Sequence, residues 1–166
     1  IRVNMGPPTI QSSGDEPAYA RELVLADVIT NGHSTHMTCV SMGNPHAVIF
    51  VDDLSRIDFE ASGRRIEHHS TFPDRTNVEF AEVLSGNRTR VRVWERGSGE
   101  TMACGSGACA VAIAGISQKH FSRQQPVSVE MRGGSLQIEW SPNGNVYLQG
   151  PAAEVFRGTL LLPSCL

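Results

Sequence analysis

The sequence has no long hydrophobic run, no excess of charge of one sign and few cysteines, and each absence excludes a class of protein. No stretch approaches the roughly 18 consecutive apolar residues of a membrane span. The formal net charge is only −3, so neither nucleic acid nor a membrane surface is an expected partner. Four cysteines in 166 residues are too few for a secreted disulfide scaffold. We therefore expect a cytoplasmic protein with reduced thiols.

The length and composition describe one folded domain. Of the 166 residues, 40% are hydrophobic and 19% charged, enough to bury a substantial core. Short apolar segments bounded by glycine, proline and asparagine predict β-strands, and Asn31-Gly32 predicts a hairpin turn. The predicted strands cover residues 1–5, 23–29, 35–42, 47–51, 77–84, 89–95, 127–131, 135–140, 146–148 and 153–162.

Two helices are predicted between these strands. Residues 54–69 follow an amphipathic helical pattern with Ser55 as the N-cap. Residues 105–118 are apolar nearly all round, which is typical of a fully buried helix. The simplest way to bury such a helix is to wrap a sheet around it. We therefore expect an α+β fold in which a curled, mostly antiparallel, barrel-like sheet surrounds a buried central helix.

Cys104 is the main candidate for chemistry, because it lies at the junction between a glycine-rich turn and the predicted buried helix. At a helix N-terminus the backbone N–H groups are unpaired and the helix dipole is positive, and both favour thiolate over thiol. Gly105 and Gly107 let backbone amides approach a bound carboxylate or oxyanion. The alternative is an inert core thiol, which is the role we expect for Cys109 inside the helix.

Five polar residues elsewhere are further candidates. Asn44 and His46 lie in a Gly-Asn-Pro-His turn, where they could equally serve the turn or a site. Asn77 begins a strand, although asparagine is depleted in strands, and its amide can both donate and accept. Glu95 and Arg96 end the strand before the cysteine turn. There Arg96 could bind a carboxylate bidentately, and Glu95 could orient an ammonium group or tune the thiol.

Three segments carry a resemblance to a known family: MGNPHAVIFVDD (42–53), TNVEF (76–80) and above all ERGSGETMACGSGACA (95–110). They resemble the C-terminal half of the diaminopimelate epimerases, which epimerise an amino-acid centre without pyridoxal phosphate. VNMGPP near the start and LQGPAAEVFRG (148–158) are similar to the family as well. The resemblance implies an enzyme of two lobes, each a curled sheet around a central helix.

The resemblance also divides the chain. Residues 1–5 would link it to a preceding N-terminal lobe, residues 6–149 would be the C-terminal lobe, and residues 150–166 would be a tail of one or two strands that returns to the N-terminal lobe. The family's first catalytic cysteine belongs to an N-terminal motif that these 166 residues do not contain. We therefore expect this chain to be inactive alone.

The function that the resemblance implies is interconversion of LL- and meso-diaminopimelate, in lysine and peptidoglycan precursor biosynthesis, by proton transfer between two cysteines. Cys104 matches the second cysteine, and no cofactor or metal takes part. Gly105 and Ser106 match amides that receive the reacting carboxylate, while His46 and Glu95 match positions thought to adjust the thiols. A homodimer is expected from the family alone. The residues that match the binding site for the distal end of the substrate are Asn44, Asn77, Glu95 and Arg96.

Three other functions are alternatives to diaminopimelate epimerisation. A proline or hydroxyproline epimerase, or a phenazine-type isomerase, would share the fold, but the charged pair Glu95-Arg96 favours a substrate with a second charged end. A dinucleotide-binding module is suggested by glycines at 105 and 107, yet no strand leads directly into them. A metal-binding or structural module could use the cysteines and histidines, although no CxxC pair is present.

Overall fold

The structure is a computed structural model that describes residues 1–8, 21–30 and 33–159, and of residues 21–30 and 33–35 it describes the backbone alone. Over these residues the chain forms one ten-stranded sheet with two α-helices. The strands are β1 (Arg2–Asn4), β2 (Arg21–Thr30), β3 (His33–Ser41), β4 (Pro45–Val51), β5 (Asn77–Val83), β6 (Arg88–Glu95), β7 (Gly99–Thr101), β8 (Val127–Met131), β9 (Gly134–Trp140) and β10 (Val146–Gln149).

The sheet is mixed, with mostly antiparallel pairs. The strand order is β1-β10-β9-β8-β6-β5-β4-β3-β2, and β7 pairs with β6 beside this path. The pairs β4–β5 and β6–β8 are parallel, because a helix-containing connection returns the chain to the same end of the sheet in each case. The predicted α+β class and curled, mostly antiparallel sheet are therefore confirmed, with these two parallel pairs as an addition.

Helix α2 (Gly105–Ser117) is the buried centre of the fold. Every residue from Gly107 to Gly115 is buried, and the helix packs against β3, β4, β5, β8, β9 and β10. Its alanines and glycines allow this close approach, as the nearly uniform apolar pattern predicted. Among the described residues, no helix combines the length and the apolarity that a membrane span requires.

Helix α1 (Phe59–Glu67) packs on the opposite face of the sheet, against β2, β5, β6 and β7. The predicted single helix over 54–69, capped by Ser55, was wrong. A short 3-10 turn at Leu54–Arg56 ends in extended backbone at Ile57 before α1 begins. The physical reason is that Asp53 and Asp58 each cap a separate start: their carboxylates accept from the N–H groups of Ser55 and Ala61.

The two ends of the described chain differ from each other. Residues 2–4, expected to belong to a link, form the edge strand β1 against β10. Residues 151–159 have no assigned secondary structure and are exposed, whereas a strand was predicted over 153–162. A strand needs a hydrogen-bonded neighbour, and no described strand pairs with this segment. Residues 160–162, the predicted turn at Asn31-Gly32 and Cys165 lie outside the described residues.

Candidate active site

The directions of the strands bring the candidate residues together at one end of the central strands. Strands β4 and β5 are parallel and start side by side, with His46 opposite Asn77. Strand β6 runs antiparallel to β5, so its last residue, Glu95, lies at the same end of the sheet. Helix α2 begins there too, immediately after Cys104. The structure therefore brings together candidates that are separated by up to 62 positions in sequence.

Cys104 is the N-cap residue of α2. Its backbone is extended, with φ −135° and ψ 115°, and its side chain accepts a hydrogen bond from the N–H of Gly107, with 3.4 Å between nitrogen and Sγ. The carbonyl of Cys104 accepts from the N–H of Ala108 at 2.9 Å. In the described structure, the N–H groups of Gly105 and Ser106 are thus the two at this helix start without an intrahelical acceptor.

Position 107 has no room for a side chain, so a glycine is required there. A Cβ atom there would lie 2.7 Å from Oε1 of Glu79 and 3.4 Å from Sγ of Cys104. A Cβ at Gly105 would meet only a methyl group of Leu148, at 3.2 Å. Gly107 therefore lets a buried carboxyl group lie directly under the first turn of the helix, beside the thiol.

The pKa of the Cys104 thiol is raised above its ordinary value, chiefly by burial. Hydrogen bonds from Ser106 and the N–H of Gly107 act in the opposite direction, and the nearby carboxylates of Glu79 and Glu95 add to the increase. The sequence predicted a lowered pKa from the helix start alone and did not include desolvation. Cys109 is fully buried, and burial raises its pKa to about 12, in agreement with a core role.

Asn44 and His46 are linked to the cysteine by polar contacts. Nε2 of His46 lies 3.0 Å from Oδ1 of Asn44. Nδ2 of Asn44 lies 3.4 Å from Oγ of Ser106, and that oxygen lies 3.5 Å from Sγ of Cys104. The two residues therefore do more than shape the turn in which they occur.

Glu79 is a site residue that was not predicted. Its Oε1 lies 2.6 Å from Nδ1 of His46, and both side chains are 0% exposed. A glutamate between Val78 and Phe80, in a segment that reads as a buried strand, is the signal in the sequence, because charged residues are almost never fully buried without a partner. Within the described residues, no group of three His, Cys, Asp or Glu side chains is arranged to hold a metal ion.

Asn77, Glu95 and Arg96 form the rim of the site. Asn77 donates to the carbonyl of Pro45 at 3.0 Å and accepts from the N–H of Arg96 at 2.9 Å, so it joins the β4 turn to the end of β6. Glu95 accepts from the hydroxyl of Thr101 at 2.7 Å. The side chain of Arg96 is exposed and donates to the carbonyl of Asp74. An exposed guanidinium at this end of the sheet is available to an anionic ligand.

Comparison with known proteins identifies the family. The sequence model of diaminopimelate epimerase matches residues 38–155, which include every candidate residue described above. The chain belongs to the diaminopimelate epimerase family. It is 51% identical to the diaminopimelate epimerase of Moorella thermoacetica over 95% of this chain and 57% of the relative, and 46% identical to that of Pelotomaculum thermopropionicum over 95% and 56%.

The match covers only part of the epimerases themselves. The chain spans a little over half the length of the curated relatives that it matches. The structure is similar to that of a predicted epimerase from Pseudomonas aeruginosa, with a TM-score of 0.61, 18% identity, and coverage of 89% of this chain and 53% of the other. Identity this low shows the fold alone, and the fold agrees with the family expectation.

Proposed function

We propose that the protein to which this chain belongs interconverts LL- and meso-diaminopimelate by cofactor-independent proton transfer at the α-carbon, a step of lysine and peptidoglycan precursor biosynthesis. The observation that carries the proposal is the position of Cys104 at the start of α2, partly buried, in a chain of the diaminopimelate epimerase family. Cys104 would transfer the proton on one face of the substrate.

The chemistry requires two steps at one carbon. A thiolate takes the α-proton and becomes a thiol, and the electron pair of the broken C–H bond is delocalised into the substrate carboxylate. A thiol on the opposite face then gives its proton to the carbon. The developing charge on the carboxylate would be stabilised by the N–H groups of Gly105 and Ser106 and by the positive end of the α2 dipole.

The raised pKa of Cys104 supports one assignment of roles. Because the folded chain favours its thiol form, Cys104 would rest protonated and act as the acid when the opposite group is the base. In the reverse direction it would act as the base, after the opposite group has received a proton. A group that must both give and take a proton works best with a pKa close to the operating pH.

The opposite group would be a cysteine on an N-terminal lobe outside these 166 residues. Of the described cysteines, Cys109 is sealed in the core around α2, and Cys39 packs with the separate core cluster beside α1, so neither would face Cys104 across a substrate. The tail supports a second lobe, because Val155 and Phe156 are 89% and 83% exposed and would be covered by packing onto it. This chain alone would then be inactive.

The rim would hold the distal amino-acid end of the substrate. Arg96 would pair with the distal carboxylate, Glu95 with the distal ammonium group, and Asn44 and Asn77 would offer amide groups. His46 and Glu95 would also adjust the ionisation of the thiols. A homodimer and a cytoplasmic location complete the proposal and rest on the family alone.

The test measures exchange of the α-proton of LL-diaminopimelate in deuterated water, catalysed by this chain joined to the segment that precedes it in its gene. We expect Cys104→Ala to reduce epimerisation by at least about a hundredfold, the lower range for loss of a general acid–base group. Cys109→Ala, a matched change on the same helix, should stay within about threefold, because Cys109 is sealed from the site.

Two results would reject the proposal. Epimerisation that survives Cys104→Ala in both directions would remove this thiol from the mechanism. Turnover of free proline, hydroxyproline or a phenazine precursor, with none of diaminopimelate, would assign the protein to another activity of the same fold. The 166-residue chain, assayed alone, should give no turnover.

A further inference from the structure

We propose that the buried Glu79 is a positioning residue: acting through His46 and Asn44, it holds the hydroxyl group of Ser106 as a hydrogen-bond donor to the sulfur of Cys104. The proposal rests on the proposed role of Cys104, because it concerns how that thiol is tuned. Its starting point is a continuous series of polar contacts from Glu79 on β5 to the start of α2.

The first step concerns the proton between Glu79 and His46. Oε1 of Glu79 and Nδ1 of His46 are 2.6 Å apart, and both side chains are fully buried. In the described structure the other oxygen of Glu79, Oε2, has no hydrogen-bond partner. An ionised carboxylate beside a neutral imidazole would leave an uncompensated charge in this position, which is costly. The pair is therefore neutral overall.

Because the pair is neutral, the ring nitrogen of His46 that faces Asn44 must carry a proton. The shared proton lies either on Nδ1, with a doubly protonated ring, or on the carboxyl group, which then donates to Nδ1. In both cases Nε2 of His46 carries a hydrogen. That hydrogen is directed at Oδ1 of Asn44, 3.0 Å away, so the amide oxygen of Asn44 is held facing the ring.

The orientation of Asn44 then determines the orientation of Ser106. With its oxygen on the ring, Asn44 points its NH₂ group at Oγ of Ser106, 3.4 Å away. The serine oxygen accepts from that group, so its own hydrogen is directed elsewhere, and Sγ of Cys104 lies 3.5 Å away. Together with the N–H of Gly107, the sulfur receives two donors, which stabilise its thiolate form.

A purely electrostatic role for Glu79 predicts the opposite effect on Cys104. In that account the carboxylates of Glu79 and Glu95, on neighbouring strands, would act as charges that raise the pKa of the thiol, and Cys109 is the other titratable group near it on α2. As a charge, Glu79 hinders formation of the thiolate. As a positioning residue, it assists it. Removal of Glu79 therefore changes the reactivity of Cys104 in opposite directions under the two accounts.

The experiment measures the rate at which iodoacetamide alkylates Cys104 in this chain, followed by mass spectrometry of the peptide that contains it, from pH 6 to 10. Glu79→Met removes the carboxyl group with little change of size. We expect alkylation at neutral pH to slow by about three- to tenfold, the effect of losing one donor to a thiolate. Faster or unchanged alkylation would overturn the proposal. Glu82→Gln, on the same strand, is the control and should leave the rate unchanged.

The conservative variant Glu79→Gln separates position from charge. Its amide is expected to donate to Nδ1 of His46 from the site of Oε1 and to place its oxygen at the partnerless site of Oε2, because buried N–H groups without acceptors are the rarer arrangement. The alkylation rate should then stay within about twofold of the unsubstituted chain, as expected when no donor to the thiolate is lost. An increase of fivefold or more would show that Glu79 acts as a charge and would overturn the proposal.

A double-variant comparison tests the route through Ser106. Ser106→Ala should slow alkylation of Cys104, and in that background Glu79→Met should cause no further slowing. Equal slowing by Glu79→Met in both backgrounds would show that the effect does not pass through Ser106. That result would contradict the proposal.

The unsubstituted chain provides a test that does not depend on the folding of any variant. The ¹⁵N shifts of the His46 ring should show Nε2 protonated at neutral pH, and an unprotonated Nε2 would overturn the proposal. None of these measurements requires turnover. If diaminopimelate is not a substrate while these results hold, the proposed function fails and the positioning role of Glu79 stands.

Discussion

The two helices begin with the same capping hydrogen bond, from the N–H group three residues after the cap, but the accepting atoms differ. Asp58 caps α1, and its carboxylate accepts from the N–H of Ala61 at 3.3 Å. Cys104 caps α2, and its sulfur accepts from the N–H of Gly107 at 3.4 Å. Helix α1 is amphipathic and lies on the surface, whereas α2 is enclosed by the sheet. An oxygen is the better acceptor, so stability alone explains Asp58 but does not explain Cys104.

A second contrast lies in the buried glutamates near each helix. Glu67, on α1, is 2% exposed, and both of its oxygens accept hydrogen bonds, from Nε1 of Trp94 and from the N–H of Gly97. Glu79, beside α2, has one oxygen on His46 and one without a partner in the described structure. The fully satisfied carboxylate serves structure, and the half-satisfied one lies in the site. The unpartnered oxygen of Glu79 is the observation from which its proposed positioning role starts.

The largest expected effect concerns how tightly each helix is packed. In α2 a Cβ on Gly115 would lie 2.2 Å from Cε2 of Phe121, and in α1 a Cβ on Gly63 would lie 2.8 Å from Cγ of Trp94. We expect Gly115→Ala to lower the free energy of unfolding by about 3 kcal/mol and Gly63→Ala by about 1–2 kcal/mol. Urea unfolding measures both, with Gly105→Ala as the control, since its Cβ would meet only Leu148. Equal losses at positions 115 and 105 would contradict the packing argument.

The second-largest expected effect concerns the N-cap residues of the two helices. Asp58→Ala should lower the free energy of unfolding by about 1 kcal/mol, the usual cost of losing an N-cap. Cys104→Ala should cost less than this, because a sulfur accepts only a weak hydrogen bond. Thermal or urea unfolding of the two variants provides the comparison. If Cys104→Ala were the more damaging change, the thiol would be a structural cap and its functional assignment would be weakened.

The smallest effect is the pH dependence of the Glu67 contact. Burial alone raises the pKa of Glu67, but the hydrogen bonds from Trp94 and Gly97, with the charges of His68 and Arg75, hold it below its ordinary value of 4.5. The ionised form is therefore stabilised by folding, so this contribution is present above about pH 4.5 and is lost as the pH falls through the folded-state pKa.

The variant Glu67→Gln tests whether folding stabilises the ionised form of Glu67. The stability difference between the unsubstituted chain and the variant should be larger at pH 6 than at pH 3, as measured by urea unfolding with tryptophan fluorescence. A difference that grows as the pH falls would show that Glu67 is bound as the neutral acid. It would also remove the contrast with Glu79.

Much of the fold followed from local patterns. The uniformly apolar run after Cys104 predicted a buried helix, and alternating segments predicted most strands to within two residues of their observed ends. Strand β7 was missed because glycines in the turn hide its pairing with β6. The division of residues 54–67 into a 3-10 turn and α1 was missed because two aspartate caps compete with a continuous amphipathic pattern.

The sequence by itself determined where the chemistry could lie. A cysteine followed by glycines at a helix start and a set of polar residues at strand ends are local features that the motifs display. The tertiary structure alone decided that Glu79 lies under the first turn of α2, that desolvation of Cys104 exceeds the effect of its hydrogen-bond donors, and that β4 and β5 run parallel. These depend on contacts between residues far apart in the chain, and desolvation and strand pairing have no local signature.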